Sequence, residues 1–267
     1  MKITAAEIYK SIELIRSQSP VVHNITNYVV MNSTANALLA IGASPVMAHA
    51  EEEVEEMVNI ASALVINIGT LSEPWINSMF KAARQARKKG IPVILDPVGA
   101  GATAYRTKTA KELINNEPPT IIRGNASEIM ALYDDKSKTK GVDSAASSDT
   151  AIDIARRLSE VHKCVICVSG VTDYIVDKEK IVKIKNGHPL MSRVTGLGCT
   201  ASVLCGAFAA VEKSHFAATV EAMAVMGIAG EMAAKTAAGP GSLQTHFLDY
   251  LYRLSENDIS QRLKIEG

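Results

Sequence analysis

Short, continuous apolar runs separated by longer amphipathic segments constrain this sequence more than any other feature. Residues 63–68 read Ala-Leu-Val-Ile-Asn-Ile, and residues 92–95 and 164–168 have the same apolar character. Strands buried on one face alternate apolar and polar residues, whereas strands buried on both faces do not. The runs therefore predict a mostly parallel central sheet with helices on both faces, which is an α/β fold.

The remaining segments complete the expected organisation. Residues 174–176 and 181–184 flank a charged turn and predict a hairpin, and residues 198–253 have a largely helical pattern. Residues 134–149 are rich in Lys, Ser and Asp and predict a surface loop. The sequence has no internal repeat and no second apolar core, so we predict one domain over residues 1–267.

The charge balance limits the classes of partner. The chain has 28 Lys and Arg residues and 28 Asp and Glu residues, so its formal net charge is zero. A neutral chain lacks the basic excess of nucleic-acid-binding proteins and has no polybasic run suited to a membrane surface. Its apolar stretches are interrupted before they reach the length of a membrane span, and its N-terminus does not resemble a signal peptide. We expect no nucleic-acid partner, no membrane association and a cytoplasmic location.

Cys164 and Cys167 have the C-x-x-C spacing of redox and zinc motifs. They lie in a predicted buried strand, where residues three apart point to opposite faces of the sheet. No second Cys or His pair occurs at zinc-ligand spacing. We therefore interpret both cysteines as small core residues.

Polar and glycine-rich segments follow most of the predicted strands. In open α/β sheets, ligands bind beyond the carboxyl ends of the strands, so these segments predict a site along one edge. The segments are residues 24–27, 67–70, 96–101, 123–125 and 169–170. Each is a weak signal alone, because loops are polar in any case, but their shared position is a stronger one.

Residues 194–200, Val-Thr-Gly-Leu-Gly-Cys-Thr, form the sharpest motif. Gly196 and Gly198 let backbone amides approach an anion closely, and the start of the following helix adds a positive dipole end. This predicts a cradle for a phosphoryl group in transit. Cys199 falls in the first helical turn, where thiol pKa values tend to be lowered, so we expect a weak base or an orienting group. The alternative is a tight loop with a helix-cap glycine and a buried cysteine.

Asp96 and Glu128 are candidate magnesium ligands. They follow neighbouring predicted strands, and Mg²⁺ takes one or two carboxylates together with waters and phosphates. Arg123 at the same edge offers a planar fork for phosphate. Taken alone, the residues favour simpler interpretations, with Asp96 as a cap before Pro97 and Glu128 as a first-turn helix residue.

Eight segments, in order along the chain, form a distinctive set of motifs. They read PVVHNITN, ASPVMA, NIGTL, PVILDPVGAGA, IRGNASEI, NGH, TGLGC and GPGS. In this order and at these lengths they resemble the hydroxyethylthiazole kinase family over nearly the whole chain. The resemblance implies a ribokinase-like three-layer fold and phosphoryl transfer from ATP to the hydroxyl of 4-methyl-5-(2-hydroxyethyl)thiazole, for thiamine biosynthesis.

The resemblance also implies Mg²⁺ as cofactor and a homotrimer with active sites at subunit interfaces. By position, the implied site residues are Asn27, Met47, Gly69, Thr70 and Gly196 for the thiazole, Arg123, Ser169 and Gly198 for ATP, Asp96 and Glu128 for magnesium, and Cys199 beside the reacting hydroxyl. Because a thiol is a mediocre base, we expect Cys199 to have only a partial catalytic role.

Three alternatives remain at this level. The ribokinase-like superfamily also includes nucleotide-dependent lyases, which would need an acidic residue where this chain has Cys199. A catalytically inactive binding protein would not need to keep Asp96, Arg123 and Glu128 together with the glycine loop. A kinase of hydroxymethylpyrimidine is the third, and the segment around Met47 argues against it.

Overall fold

Nine strands form one continuous sheet in the computed structural model, which describes residues 3–133 and 144–267. In chain order they are β1 Val21–Ile25, β2 Ser44–Val46, β3 Ala63–Asn67, β4 Val93–Asp96, β5 Ile121–Asn125, β6 Val165–Ser169, β7 Asp173–Asp177, β8 Lys180–Ile184 and β9 Ile265–Glu266. Their order across the sheet is β2-β1-β3-β4-β5-β6-β7-β8-β9, parallel from β2 to β6 and antiparallel from β6 to β9. The predicted mostly parallel sheet and its hairpin are confirmed.

Helices cover both faces of this sheet. In chain order they are α1 Ala5–Gln18, α2 Met31–Ile41, α3 Val54–Ile60, α4 Glu73–Lys89, α5 Ala104–Asn116, α6 Ala126–Leu132, α7 Ser144–His162, α8 Leu197–Ala209, α9 His215–Thr236, α10 Pro240–Arg253 and α11 Glu256–Arg262. Helices α1, α2 and α8 to α11 pack on one face, and α3 to α7 pack on the other. The three-layer α/β architecture is therefore confirmed.

Successive side chains of the central strands enter different cores. In β3, Val65 joins the core on the α8 side, whereas Leu64 and Ile66 join the core on the α4 side. Cys167 lies in the first of these cores and Cys164 in the second, both as free thiols. Strands buried on both faces have this geometry. The interpretation of the C-x-x-C pair as core residues is confirmed.

Two parts of the fold differ from the sequence-based expectation. The sequence pattern does not predict helix α5, because its buried face is short and holds Thr109, Ala110, Leu113 and Ile114 within an otherwise polar segment. Residues 134–143 of the predicted loop 134–149 lie outside the described residues. The prediction of a loop over residues 144–149 is wrong, since α7 begins at Ser144.

Helix α9 is the longest apolar helix in the part of the chain that the structure describes. By length and composition alone it could cross a membrane, which corrects the expectation that every apolar stretch is too short. However, 89% of its most apolar window is buried inside the fold. A core helix passes the same test of length and composition. Helix α9 packs against α8 and α10 in the core of one face.

Candidate active site

Two cavities lie around the carboxyl ends of the parallel strands. The larger has a volume of about 580 Å³ and is lined by residues that include Ser169, Asp173 and His188. The smaller has a volume of about 410 Å³. Arg123 and Gly198 line both cavities. We refer to these as the large cavity and the small cavity, and they meet at the glycine loop that precedes α8.

The structure brings most of the predicted site residues together. Eight of them line the small cavity, namely Asn27, Gly69, Asp96, Arg123, Glu128, Gly196, Gly198 and Cys199. Ser169 lines the large cavity. Met47 and Thr70 line neither of these two cavities. Met47 is half-buried just after β2, and the Thr70 hydroxyl accepts a hydrogen bond from the backbone N–H of Tyr28 at 3.3 Å.

The glycine loop has the backbone geometry that its sequence predicts. Gly196 is the N-cap of α8 and has a φ of +82°, a conformation that L side chains rarely adopt. A Cβ atom on Gly198 would lie 3.0 Å from Nη1 of Arg123, which is tighter than nine in ten real Cβ contacts. Both positions therefore favour glycine, one for its backbone angle and the other for the close approach of the guanidinium.

A chain of side-chain hydrogen bonds forms the floor of the small cavity. Nδ2 of Asn67 donates to Oδ2 of Asp96 at 2.9 Å and to Sγ of Cys199 at 3.2 Å. Oδ1 of Asn67 accepts from Nδ2 of Asn27 at 2.8 Å. The hydroxyl of Ser202 donates to the same Asp96 oxygen at 2.7 Å. One network therefore fixes the thiol and the carboxylate relative to each other.

The electrostatic environment of Cys199 is the reverse of the one expected. Burial raises the pKa of its thiol to about 11, and the Asp96 carboxylate acts in the same direction. The expectation of a lowered thiol pKa is wrong, because desolvation of the thiolate outweighs the position in the first turn of α8. At neutral pH the thiol is protonated. It can exchange hydrogen bonds with a substrate hydroxyl but is a poor acceptor for its proton.

Asp96 has one carboxylate oxygen free of hydrogen bonds. Oδ2 accepts from Asn67 and Ser202, whereas Oδ1 is buried with no hydrogen-bond partner. Burial raises the pKa of Asp96 to about 6, and the attraction of Arg123 limits the rise. An unpaired buried carboxylate oxygen is unfavourable unless a cation or a donor meets it. The donor set therefore fits a cation ligand better than the turn cap that Asp96 alone suggests.

Glu128 caps the helix in which it lies. Oε2 accepts from the backbone N–H of Asn125 at 2.9 Å, and Oδ1 of Asn125 accepts from the N–H of Glu128 at 2.9 Å. Oε1 accepts from the N–H of Gly99 at 2.9 Å. The simpler interpretation of Glu128 as a first-turn residue of α6 is thus confirmed, although the same carboxylate also lines the small cavity.

Within residues 3–133 and 144–267, the side chains around the small cavity do not form a complete metal site by themselves. Among the described residues, no group of three or more His, Cys, Asp or Glu side chains is arranged to hold a metal ion. Mg²⁺ commonly uses one or two carboxylates and completes its shell with waters and substrate phosphates. Asp96 and Glu128 both line the small cavity and suit that pattern.

Arg123 carries a permanent positive charge where the two cavities meet. Its Nη2 donates to the hydroxyl of Ser169 at 2.7 Å, and that hydroxyl donates to the carbonyl oxygen of Gly124 at 3.2 Å. Burial alone would lower the pKa of Arg123, but the nearby Asp96 and Asp173 outweigh this and the pKa is raised. The guanidinium is therefore oriented and charged before any anion binds.

Comparison with known proteins agrees with this arrangement. The model of the "Hydroxyethylthiazole kinase family" matches residues 12–257, which is most of the chain. The chain belongs to the hydroxyethylthiazole kinase family. A relative named hydroxyethylthiazole kinase from Syntrophus aciditrophicus is 63% identical over 266 residues, covering 99% of this chain and 98% of that protein.

Solved structures agree with membership of the hydroxyethylthiazole kinase family. The structure of a hydroxyethylthiazole kinase protein from Pyrococcus horikoshii has a TM-score of 0.89 and 43% identity, covering 97% of this chain and 98% of that one. A ribokinase-like superfamily protein from Enterococcus faecalis has a TM-score of 0.65 and 15% identity, covering 90% and 89%. The second likeness concerns the fold alone, and it supports the predicted ribokinase-like architecture.

Two residues that sequence reasoning missed support the site of this hydroxyethylthiazole kinase family member. Ser202 lies three residues after Cys199 on α8, so the helical period places both on one face, and this spacing was a usable signal. Oδ1 of Asp173 accepts from the N–H of Gly170 at 3.0 Å and fixes the turn beside Ser169. Burial raises the pKa of Asp173 to about 6.

Asn186 and Gly187, which line the large cavity, are hydrogen-bonded to Glu231 of helix α9. Oε1 of Glu231 accepts from the N–H of Gly187 at 3.0 Å and from Nδ2 of Asn186 at 3.2 Å. Lys264 donates to the same oxygen at 2.8 Å, and its N–H donates to Oδ1 of Asn186 at 2.8 Å. The segment that precedes the 3-10 turn Pro189–Arg193 is therefore tied both to α9 and to Lys264, the residue before β9.

Proposed function

We propose that this chain transfers the γ-phosphoryl group of ATP to the hydroxyl of 4-methyl-5-(2-hydroxyethyl)thiazole, giving ADP and 4-methyl-5-(2-phosphooxyethyl)thiazole for thiamine biosynthesis. Membership of a kinase family makes the chain a phosphotransferase with an alcohol acceptor. The single observation that carries the proposal is the pair of cavities that share Arg123 and Gly198. A donor and an acceptor bound in these cavities would meet at the glycine loop.

The large cavity is suited to ATP. Its walls combine the apolar side chains of Met223 and Met226 with the Arg123 guanidinium and the Ser169 hydroxyl. A flexible thioether side chain packs well on a flat ring, and the guanidinium fork matches phosphate oxygens. We assign Arg123, Ser169 and Gly198 to contact with the nucleotide.

The start of α8 supplies the charge stabilisation that phosphoryl transfer requires. The first hydrogen bond of α8 is donated by the backbone N–H of Thr200 to the carbonyl oxygen of Gly196 at 2.8 Å. The backbone N–H groups that precede Thr200 therefore have no acceptor within the helix. Such N–H groups and the helix dipole stabilise negative charge that develops on a moving phosphoryl group. Gly196 and Gly198 give the phosphate access to these donors.

The small cavity is suited to the acceptor alcohol. Asn27 and Gly69 line it beside Cys199, which we assign to orienting the hydroxyl rather than removing its proton. Phosphoryl transfer passes through a loose transition state in most analyses, so the acceptor needs positioning more than a strong base. A protonated thiol held by Asn67 meets that requirement.

Asp96 and Glu128 would hold Mg²⁺ in the small cavity. The buried and unpartnered Oδ1 of Asp96 supports this assignment. When bound, the ion would neutralise charge on the phosphates of ATP. Asn67 and Ser202 occupy the other oxygen of Asp96 and so keep the carboxylate turned toward the cavity.

We further propose one domain, a cytoplasmic location and a homotrimer whose active sites lie between subunits. The single continuous sheet supports one domain. Met47 and Thr70 lie outside both cavities of their own chain, which supports a pocket completed by a neighbour. Tyr28 and Val29, beside Asn27, are 66% and 65% exposed, and apolar surface at a cavity rim favours contact with another chain.

Release of ADP by the purified protein tests the proposed function. The protein is incubated with ATP, Mg²⁺ and hydroxyethylthiazole, and hydroxymethylpyrimidine serves as the paired control substrate. We expect ADP release that depends on the thiazole, and a phosphorylated thiazole detected by mass. The variant Asp96→Asn is expected to lose this turnover while keeping its fold.

Each other outcome identifies an alternative. Turnover with the pyrimidine alone would keep the reaction type and overturn the substrate. Binding of the thiazole without ADP release would favour an inactive binding protein. Consumption of an acceptor by dehydration, without phosphorylated product, would favour a lyase.

A further inference from the structure

We propose that Arg106 is a positioning residue that joins the two loops on either side of the small cavity and so sets the geometry for phosphorylation of the thiazole. The inference rests on the function proposed above and adds to it a residue outside the cavity lining. Arg106 lies in the first turn of α5, a helix that the sequence pattern does not predict.

The guanidinium of Arg106 donates to three backbone carbonyl oxygens. Nη2 donates to the carbonyl of Gly69 at 2.7 Å, and Nη1 donates to the carbonyls of Ile68 and Val98 at 3.0 Å and 2.8 Å. Ile68 and Gly69 follow β3, whereas Val98 follows β4. One planar cation therefore bridges two loops from neighbouring strands.

Both loops carry groups assigned to the reaction. The loop after β3 follows Asn67, the last residue of that strand, which donates to Asp96 and Cys199. The loop after β4 follows Asp96, the last residue of β4, and both Gly69 and Val98 line the small cavity. A shift of either loop would therefore move the acceptor pocket relative to the carboxylate, and misplacement by about 1 Å can lower a rate about 100-fold.

Arg106 is itself held in place. Its backbone N–H donates to the hydroxyl of Thr103, the N-cap of α5, at 3.3 Å. The hydroxyl of Thr107 accepts from the N–H of Gly101 at 2.8 Å, which ties the same helical turn to the loop after β4. The helical turn that carries the guanidinium is therefore fixed. The planar fork of the guanidinium matches the three carbonyl oxygens, which a lysine ammonium cannot meet together.

The experiment compares Arg106→Ala and Arg106→Lys with the wild-type protein. Arg84→Ala is the matched control. Arg84 lies on α4, pairs with Glu117 at 3.0 Å, and has a side chain that is 60% exposed. Steady-state kinetics with ATP and the thiazole give KM and kcat. Amide hydrogen exchange, read over residues 67–70 and 96–101 and over the reference segment 185–192, reports on the loops independently of activity.

We expect Arg106→Ala to lower kcat/KM for the thiazole about 100-fold. The KM for ATP should change less than about twofold, because no residue of the two loops lines the large cavity. Arg106→Lys keeps the charge but not the planar fork. It should fold, and its kcat/KM for the thiazole should be about tenfold lower than that of wild type. Exchange should rise in both loops of the two Arg106 variants and stay unchanged in segment 185–192.

The proposal is overturned if folded Arg106→Lys keeps the wild-type kcat/KM for the thiazole. It is also overturned if the variants raise exchange equally in segment 185–192, since that indicates a general loss of stability. If Arg106→Ala does not fold, Arg106→Lys alone decides. A wild-type protein without thiazole-dependent turnover would reject the proposed function, and the exchange data would still report whether Arg106 joins the two loops.

Discussion

Cys199 shows how burial can reverse the chemistry that a residue's position suggests. A thiol in the first turn of a helix is expected to ionise readily, yet burial beside Asp96 raises its pKa to about 11. At neutral pH the thiol is therefore protonated, and a protonated thiol is a poor acceptor for a substrate proton. Its hydrogen bond from Asn67 and its place on the small cavity favour a role in orienting the acceptor.

Replacement of Cys199 tests this role. We expect Cys199→Ala to lower kcat about tenfold, less than the 10²- to 10⁴-fold that loss of a general base costs. Cys199→Asp should retain or exceed wild-type turnover, because a carboxylate can both orient the hydroxyl and accept its proton. ADP release measures both variants. Cys205→Ala, on the core side of the same helix, is the control and should keep kcat. Wild-type turnover by Cys199→Ala would remove Cys199 from the mechanism.

That the candidate site residues lie together was predictable at this scale, but their electrostatics and supports were not. Asp96, Glu128 and the glycine loop follow strands in the sequence, and parallel strands bring their carboxyl ends together. The pKa of Cys199 depends on burial by residues distant in sequence, which a local pattern does not contain. Arg106 acts on backbone carbonyls, and any residue type supplies those, so its partners left no signal in the sequence.

Among the elements, those whose ends are marked in the sequence are the ones that a local pattern can predict. Thr4 and Glu7 form a capping box at the start of α1, and α4 has Pro74 in its first turn and Gly90 at its C-cap. Helix α3 has no side-chain cap and begins at Val54, after acidic residues that form a turn. Strand β9 and helix α11 depend on long-range contacts with β8 and α1, which no local pattern encodes.

Helix α9 contains a buried carboxyl group that makes stability depend on pH. Glu221 is only 3% exposed, and one of its oxygens has no hydrogen-bond partner. Burial raises its pKa from 4.5 to about 7; the side chain of Ser11 opposes the rise, and Glu212 and Glu7 add to it. Between these two pH values the folded state holds a proton that the unfolded state has lost. The free energy of unfolding therefore falls as pH rises through this window.

Glu221→Gln should remove this dependence. Relative to wild type, we expect the variant to gain on the order of 2–3 kcal/mol between pH 4.5 and pH 7, with no further gain above. Urea unfolding at pH 5 and pH 8 measures the difference. Glu55→Gln replaces an exposed carboxylate on α3 and should show no such gain. The argument would be contradicted if the difference in the free energy of unfolding between Glu221→Gln and wild type were the same at pH 5 and at pH 8.

At the scale of the whole molecule, the alternation of apolar runs and amphipathic segments was enough to predict the layered sheet. It was not enough to predict how the acceptor pocket closes. Met47 follows β2, which is an edge strand of the sheet, and it lies outside both cavities. Val29 is exposed and lines the small cavity beside Asn27, and the neighbouring Tyr28 is exposed as well. A second subunit packed on this edge would cover the rim.

A mixing experiment tests whether the active site is shared between subunits. Asp96→Asn removes the carboxylate proposed to hold Mg²⁺ in the small cavity, and Met47→Lys places a charge at the proposed thiazole contact. Each variant alone should therefore be inactive. In a cyclic trimer formed from equal amounts of both, about one quarter of the interfaces would join an intact Asp96 to an intact Met47 of the neighbour. Co-expression with two affinity tags should therefore restore up to about a quarter of wild-type turnover per site, whereas separately folded variants mixed without exchange should stay inactive. If both residues served the site of their own chain, every site would carry one defect. Mixed trimers, verified by light scattering, would then remain inactive, and the interfacial site would be rejected.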